Sequence, residues 1–301
     1  MWDDLKAQWQ SGTMLTRLIF VNVAVFTGVL TLRLLQTLGV LEAGVEVGVF
    51  GLATSWNTAV LLGRPWSIVT HMFVHVDVWH LALNMLWLYW LGRMFVVQFG
   101  SRRLLSTYIV GGLVGFGVYW GASVTFPGLQ QGTYAYGASA AVMAVMAATA
   151  TAQPNHLIRL FLLGAVPLKY VAIAWVLLDY FALGHGMNTG GNLAHLGGAA
   201  FGYAMIKQAA RGRDLVGWFE RLLDAIVGIF QGGGIPKPRR HSRFRKVKDS
   251  RGSRVKSDEE FNREKKSRSD RMDSILDKIS KQGYDNLSAE EKEFLFRQSN
   301  T

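Results

Sequence analysis

Long apolar blocks, each closed by Arg, Lys, Gly or Pro, recur six times before about residue 209 and then stop. A helix needs roughly 20 apolar residues to cross a bilayer, and the blocks near 16–38, 70–92, 104–123, 137–152, 168–184 and 192–209 approach that length. The chain is therefore predicted to be an all-α membrane protein with six spans. The fourth block is short, so it must start below one membrane surface or be shielded by its neighbours. A positive mean hydropathy and ten Trp agree with a membrane chain. Residues 1–16 are polar and aromatic with no apolar run of their own, so no cleavable leader is expected and the first span would serve as the insertion signal. The absence of Cys excludes disulfides and Cys-ligated metals, and no cofactor is called for.

Charge orients the spans. Arg93, Arg102 and Arg103 follow the second, Arg159 and Lys169 separate the fourth from the fifth, and Lys207, Arg211 and Arg213 follow the sixth. The opposite loops, 124–136 and 185–191, carry no Lys or Arg, and the long first loop has only Arg64 near its end. The positive-inside rule then puts both termini in the cytoplasm, in agreement with Lys6 and Arg17. Spans two, four and six all run inward from the outer face. His75, His80 and Asn84 are expected in the first half of span two, Ser139 at the start of span four and His195 at the start of span six. Polar residues on three helices thus share one depth, in the outer half of the bilayer.

Groups of this kind inside a membrane are costly and mark function. Span four carries Gly or Ala on every side, which predicts a central, surrounded helix. Gly198 and Gly202, four apart on span six, form a small-xxx-small face for close helix approach. His195 lies one turn before Gly198 and looks the same way; His80 and Asn84, also four apart, share a face of span two. Taken singly, each feature has an ordinary explanation. A membrane serine usually bonds its own i−4 carbonyl, a His–Asn pair commonly joins helices, and Gly-x-Ser-x-Gly fails at Ala141. Together they supply a nucleophile, a base and an oxyanion site.

Three motifs resemble those of the rhomboid family of intramembrane serine proteases, over about residues 16–209. The first is His75-Val-Asp-Val-Trp-His80-Leu-Ala-Leu-Asn84, running on to Gly92. The second is Gly137-x-Ser139 and the third Ala194-His195-x-x-Gly198. The resemblance implies a six-helix bundle and a Ser–His dyad that cleaves transmembrane protein substrates. Ser139 would be the nucleophile, His195 the base and then the acid, and His80 with Asn84 would hold the oxyanion. It gives no carboxylate the task of orienting the imidazole, which leaves Asp179 to helix packing or interface placement. It also implies that Gly39–Trp66 is a membrane-embedded loop and that the Gly-rich stretch Gly184–Gly191 caps the site. The chain departs from the family at Ala140, where Gly is usual, at Met143, where an aromatic is common, and at Ser67, where Arg follows the loop Trp. These changes bear on efficiency and substrate preference more than on chemistry.

Beyond the spans, residues 214–230 have helical apolar spacing, but Glu220, Arg221 and Asp224 make a seventh span expensive. An interfacial amphipathic helix is the better reading. Residues 237–256 then hold ten Lys and Arg against one Asp. Beside a membrane such a run binds anionic headgroups, and with only Phe244 interleaved it is not read as a nucleic-acid site. Ser257-x-x-Glu260 and Ser288-x-x-Glu291 are capping boxes. The first would open a helix with Met272, Ile275, Leu276 and Ile279 on one face, closing near Gly283; the second would open a short helix with Phe294, Leu295 and Phe296. The predicted organisation is a cytoplasmic N-terminus (1–15), the membrane domain (16–209), an amphipathic helix with basic linker (210–256) and a helical module (257–301). This module resembles tails on some bacterial rhomboids and would dock on the bundle or on a cytosolic partner. A bacterial inner membrane fits the whole. The competing class is a non-catalytic rhomboid-like binder of membrane clients, whose signature would be loss of Ser139 or His195; neither is lost. A transporter would show internal repeats, and none is evident.

Overall fold

A computed structural model describes residues 12–40, 51–130, 134–160, 164–186, 188–230, 258–283 and 286–299. The chain divides into two compact units, residues 1–241 and 242–301. The first is built on six helices: α1 (Met14–Thr37), α2 (Val78–Phe99), α3 (Ser101–Thr125), α4 (Ser139–Ala152), α5 (Leu168–Gly184) and α6 (Thr189–Ala210). Each falls on one of the six apolar blocks. By length and composition α1 and α3 are long and apolar enough to cross a membrane, and α4 is a shorter apolar helix. Large apolar side chains face outward on α2 (Trp79, Leu83, Trp90) and on α5 (Ile173, Leu178, Phe181), a surface that needs a nonaqueous neighbour.

The second block is corrected by the structure. Helix α2 begins at Val78 and not near residue 70, because the Asp77 carboxylate caps it by accepting the His80 N–H at 2.8 Å. Ahead of the cap lie a short helix, Ser67–Thr70, a tight turn, His71–Phe73, and an extended segment. His75 is therefore not on the helix with His80 and Asn84; it sits fully buried in the strand-like lead-in. The Tyr108 hydroxyl of α3 pins this segment by donating to the Met72 carbonyl at 3.0 Å. Helix α2 then runs to Phe99, and Gly100, at φ 86°, is the single residue between α2 and α3.

Helix α4 is central, as its composition predicts: Ala140 through Ala150 are all buried. With so little side-chain bulk it can be approached to backbone distance on several sides. A Cβ at Gly198 would fall on the Ala140 carbonyl, and one at Gly202 on the Ala144 carbonyl, so α6 lies directly on α4. Helix α3 closes from another side, where Gly115 meets Ala140 and the Ala194 carbonyl. In lipid, where apolar burial gives helices little reason to associate, this dense packing is the main cohesive term.

An antiparallel hairpin between α4 and α5 was not expected: β1 (Leu157–Leu160) pairs with β2 (Gly164–Pro167). Of the long first loop, residues 41–50 lie outside the described residues; the remainder carries the helix Thr58–Gly63 and a bridge from Thr54 to Ala135. After α6 comes α7 (Gly217–Phe230), at the place of the expected amphipathic helix. Its Trp218, Leu222, Ile226 and Ile229 are exposed at helical spacing, while Glu220 is 2% exposed. Arg102 and Arg103 at the start of α3 hold it, through pairs with Asp224, Asp214 and Glu220.

In the second unit, α8 (Asp258–Gln282) ends before Gly283 and α9 (Ala289–Ser299) follows. The second capping box forms: Ser288 N–H donates to Glu291 at 2.7 Å and Glu291 N–H to the Ser288 hydroxyl at 3.3 Å. Ser257, the start of the first box, and the basic stretch 237–256 lie outside the described residues. Ile275 is buried, but Leu276, expected on the same face, is 51% exposed.

Candidate active site

Ser139 is the first residue of α4, and the backbone that delivers it is tightly held. Gly137 has φ 120° and lies against His80: a Cβ there would come within 2.7 Å of His80 Cε1. Only glycine meets both demands. The Gly137 N–H donates to the His71 carbonyl at 2.9 Å, and the Ala138 N–H to His75 Nε2 at 3.3 Å. His75 thus serves the site as an anchor of backbone and not as a lining residue.

The Ser139 hydroxyl is 2.6 Å from His195 Nε2. His195 stands in the second turn of α6, and the Gly198 and Gly202 contacts fix α6 against α4, so the pair meets across the closest seam in the fold. On the other side of the ring, His195 Nδ1 is 2.9 Å from Asp179 Oδ1 on α5. The resemblance gives no carboxylate the task of orienting the imidazole and leaves Asp179 to helix packing or interface placement; the structure instead puts it within hydrogen-bond distance of the ring. Its sequence signal was available: an Asp amid Leu and Tyr in an apolar helix is costly unless it has a partner.

His80 and Asn84 line the same cavity, of about 510 Å³, as Ser139 and His195. The Asn84 amide donates to the His80 carbonyl at 2.8 Å, which fixes it one helical turn from His80. His80 stacks edge-on to His75 with ring centres 5.1 Å apart. Trp87, Tyr119, Tyr136, Met143 and Trp175 form apolar walls, and Asn188 to Gly191, from the stretch expected to cap the site, form part of the rim. Trp87 and Trp175 meet edge to face at 5.9 Å, joining α2 to α5 beside the cavity. Met143 takes a wall position, and among the described residues no aromatic ring stacks on His195. Ala140 faces Gly115 and Gly198, and Ser67 is buried with its carbonyl 2.9 Å from His71 Nδ1.

Such a site can move a proton from Oγ to Nε2 as a bond forms at Oγ. His80 and Asn84 line the cavity with it, and the first amides of α4 have no side-chain cap.

Comparison with known proteins matches residues 62–211 to the Rhomboid domain. Residues 256–301 match DUF6576, a family of unknown function. Rhomboid-like protein 12, mitochondrial, of Arabidopsis thaliana is 30% identical over 165 residues, 50% of this chain and 48% of the relative, so the match spans about half of that protein. Rhomboid protease GlpG of Yersinia pseudotuberculosis is 27% identical over 214 residues, 66% of this chain and 71% of its own. The GlpG of Pectobacterium atrosepticum is 23% identical over 211 residues, 67% and 72% respectively.

Proposed function

The chain belongs to the rhomboid family, and from that premise we propose that it is an intramembrane serine protease working through Ser139 and His195. The observation that carries this reading is the 2.6 Å separation of Ser139 Oγ and His195 Nε2 inside a cavity roomy enough for a peptide strand. In the reaction, Nε2 takes the Oγ proton as Oγ attacks the scissile carbonyl. His80, Asn84 and the amides at the start of α4 stabilise the negative oxygen. The imidazolium then returns its proton to the leaving amine, and water, activated by the same nitrogen, releases the acyl group from Ser139. No metal or cofactor enters these steps.

The substrates on this reading are transmembrane proteins cut in or near a span. The protein is an integral membrane protein; six spans with both termini cytoplasmic, in a bacterial inner membrane, is the topology we propose. The exposed apolar stripe of α7 would lie at the inner interface, and the ten basic residues of 237–256 would bind anionic lipid. The module 257–301 would engage a cytosolic partner.

The test is cleavage of a single-span reporter with Gly and Ala near the outer end of its helix, with enzyme and reporter in lipid vesicles. The native chain should yield one discrete product, and Ser139→Ala and His195→Ala should yield none. Cleavage that persists in either variant would refute the assignment. Binding of the reporter without any cleavage would support the non-catalytic alternative.

A further inference from the structure

We propose that Asp179 is a positioning residue, holding the His195 imidazole in the tautomer and plane that Ser139 requires, so that the site is a chain of three groups and not a dyad. The inference rests on the protease reading above and adds to it a residue on a third helix.

Asp179 is 6% exposed on a helix whose outward face is Ile173, Leu177, Leu178 and Phe181. A carboxylate in such surroundings is retained only for a purpose. Among the described residues its hydrogen-bond partner is His195 Nδ1, and its Oδ2 is buried with no hydrogen bond at all. A carboxylate kept for helix cohesion would be joined to backbone or to several donors; this one is spent on a single ring.

A carboxylate accepts hydrogen bonds and cannot donate them, so Nδ1 must carry the hydrogen and Nε2 must present its lone pair. That lone pair faces the Ser139 hydroxyl at 2.6 Å. When Nε2 takes the Oγ proton, the positive charge forms beside the Asp179 carboxylate. The opposite tautomer, with hydrogen on Nε2, could not act as the base.

No aromatic ring stacks on His195 among the described residues, and Met143, on the cavity wall, is flexible. Two hydrogen bonds, one on each ring nitrogen, therefore set the imidazole.

The experiment uses the full chain in lipid vesicles and a fluorophosphonate probe, which reports activation of the serine without a known substrate. The maximal inactivation rate, kinact, and the probe affinity, KI, are measured for the native chain, Asp179→Asn and Asp179→Leu, each with its unfolding midpoint. Both variants should lose about 100-fold or more in kinact, with KI changed by no more than about two-fold. Asp179→Leu leaves the buried His195 Nδ1–H without its acceptor and should also lower the midpoint modestly, so kinact measured on folded protein decides. A purely structural Asp179 would give a lowered midpoint with native kinact, and would overturn the proposal. Should neither variant fold, 15N-histidine spectra of the native chain decide: a bonded proton on His195 Nδ1 supports the proposal and a proton on Nε2 refutes it. If the native chain is not labelled, the protease reading itself fails. If it is labelled and the variants match it, only the role of Asp179 fails.

Discussion

Two joints in the first unit are made by opposite means. Helix α6 meets α4 through Gly198 and Gly202 pressed on the Ala140 and Ala144 carbonyls, backbone against backbone. Helix α7 meets α3 through charge: Arg103 pairs with Asp214 and, at 3.7 Å, with Glu220, while Arg102 pairs with Asp224 and donates to the Glu220 carbonyl at 2.7 Å. The glycine-to-carbonyl contacts of the first have no charge to titrate and no side chain to re-route. The second responds to acid and salt. Ser139 and His195 sit on the first, which suits a pair of atoms that must keep 2.6 Å. The charged joint fastens a peripheral helix, where looser tolerance does no harm.

The largest test of this contrast is Gly198→Val. Its new Cβ would strike the Ala140 backbone, so the helices must part, and we expect a loss of about 3 kcal/mol or more in unfolding free energy together with loss of serine labelling. A midpoint shift of less than a degree or two would show that the seam is softer than it looks. Next comes Arg103→Ala, which removes two ion pairs from the charged joint. Destabilisation of about 1–3 kcal/mol is expected, with labelling of Ser139 unchanged; a parallel loss of labelling would mean that the two joints are coupled.

Acid should act on the same joint. Burial opposes the charge on Asp214, but the Arg103 guanidinium and the Val216 and Gly217 amides outweigh it and hold the carboxyl below its usual 3.8. A folded value below the unfolded one gives stability that is present at higher pH and lost as pH falls through the folded value. Trp218 fluorescence should therefore be flat from neutral pH to about pH 4 and change below it, and Arg103→Ala should abolish or advance that step. A change centred near neutrality would contradict the assignment. The smallest effect is Gly117→Ala on α3, where an added methyl meets nothing within 4 Å. Unfolding free energy should stay level or rise by up to about 1 kcal/mol, and a clear loss would show packing that the geometry omits.

These two joints were not equally legible in the sequence. Gly198 and Gly202 announce close packing by their spacing, and α4 announces its central place by carrying Ala on every side. The Arg102 and Arg103 pairs link residues more than a hundred apart in the chain, and no local pattern joins them. The start of α2 was misplaced for a related reason: the apolar run continues upstream through Met72 and Val74, but Asp77 caps the helix and Tyr108, from α3, holds what precedes it. His75 went with that error. Asp179 was visible as an anomaly, yet its partner is 16 residues on and on another helix, beyond a connection that carries Gly186 at φ 67° and Asn188 at φ 47°. The hairpin of β1 and β2 was hidden by its length, four residues in each strand.

One measurement bears most directly on the claim that the tight seam holds a working nucleophile and base. The native chain in lipid vesicles is treated with a fluorophosphonate probe alongside Ser139→Ala and His195→Ala, with folding confirmed for all three. Labelling of the native chain alone is the expected result, and it would establish a serine activated by His195. An unlabelled native chain, or one labelled equally without His195, would contradict it.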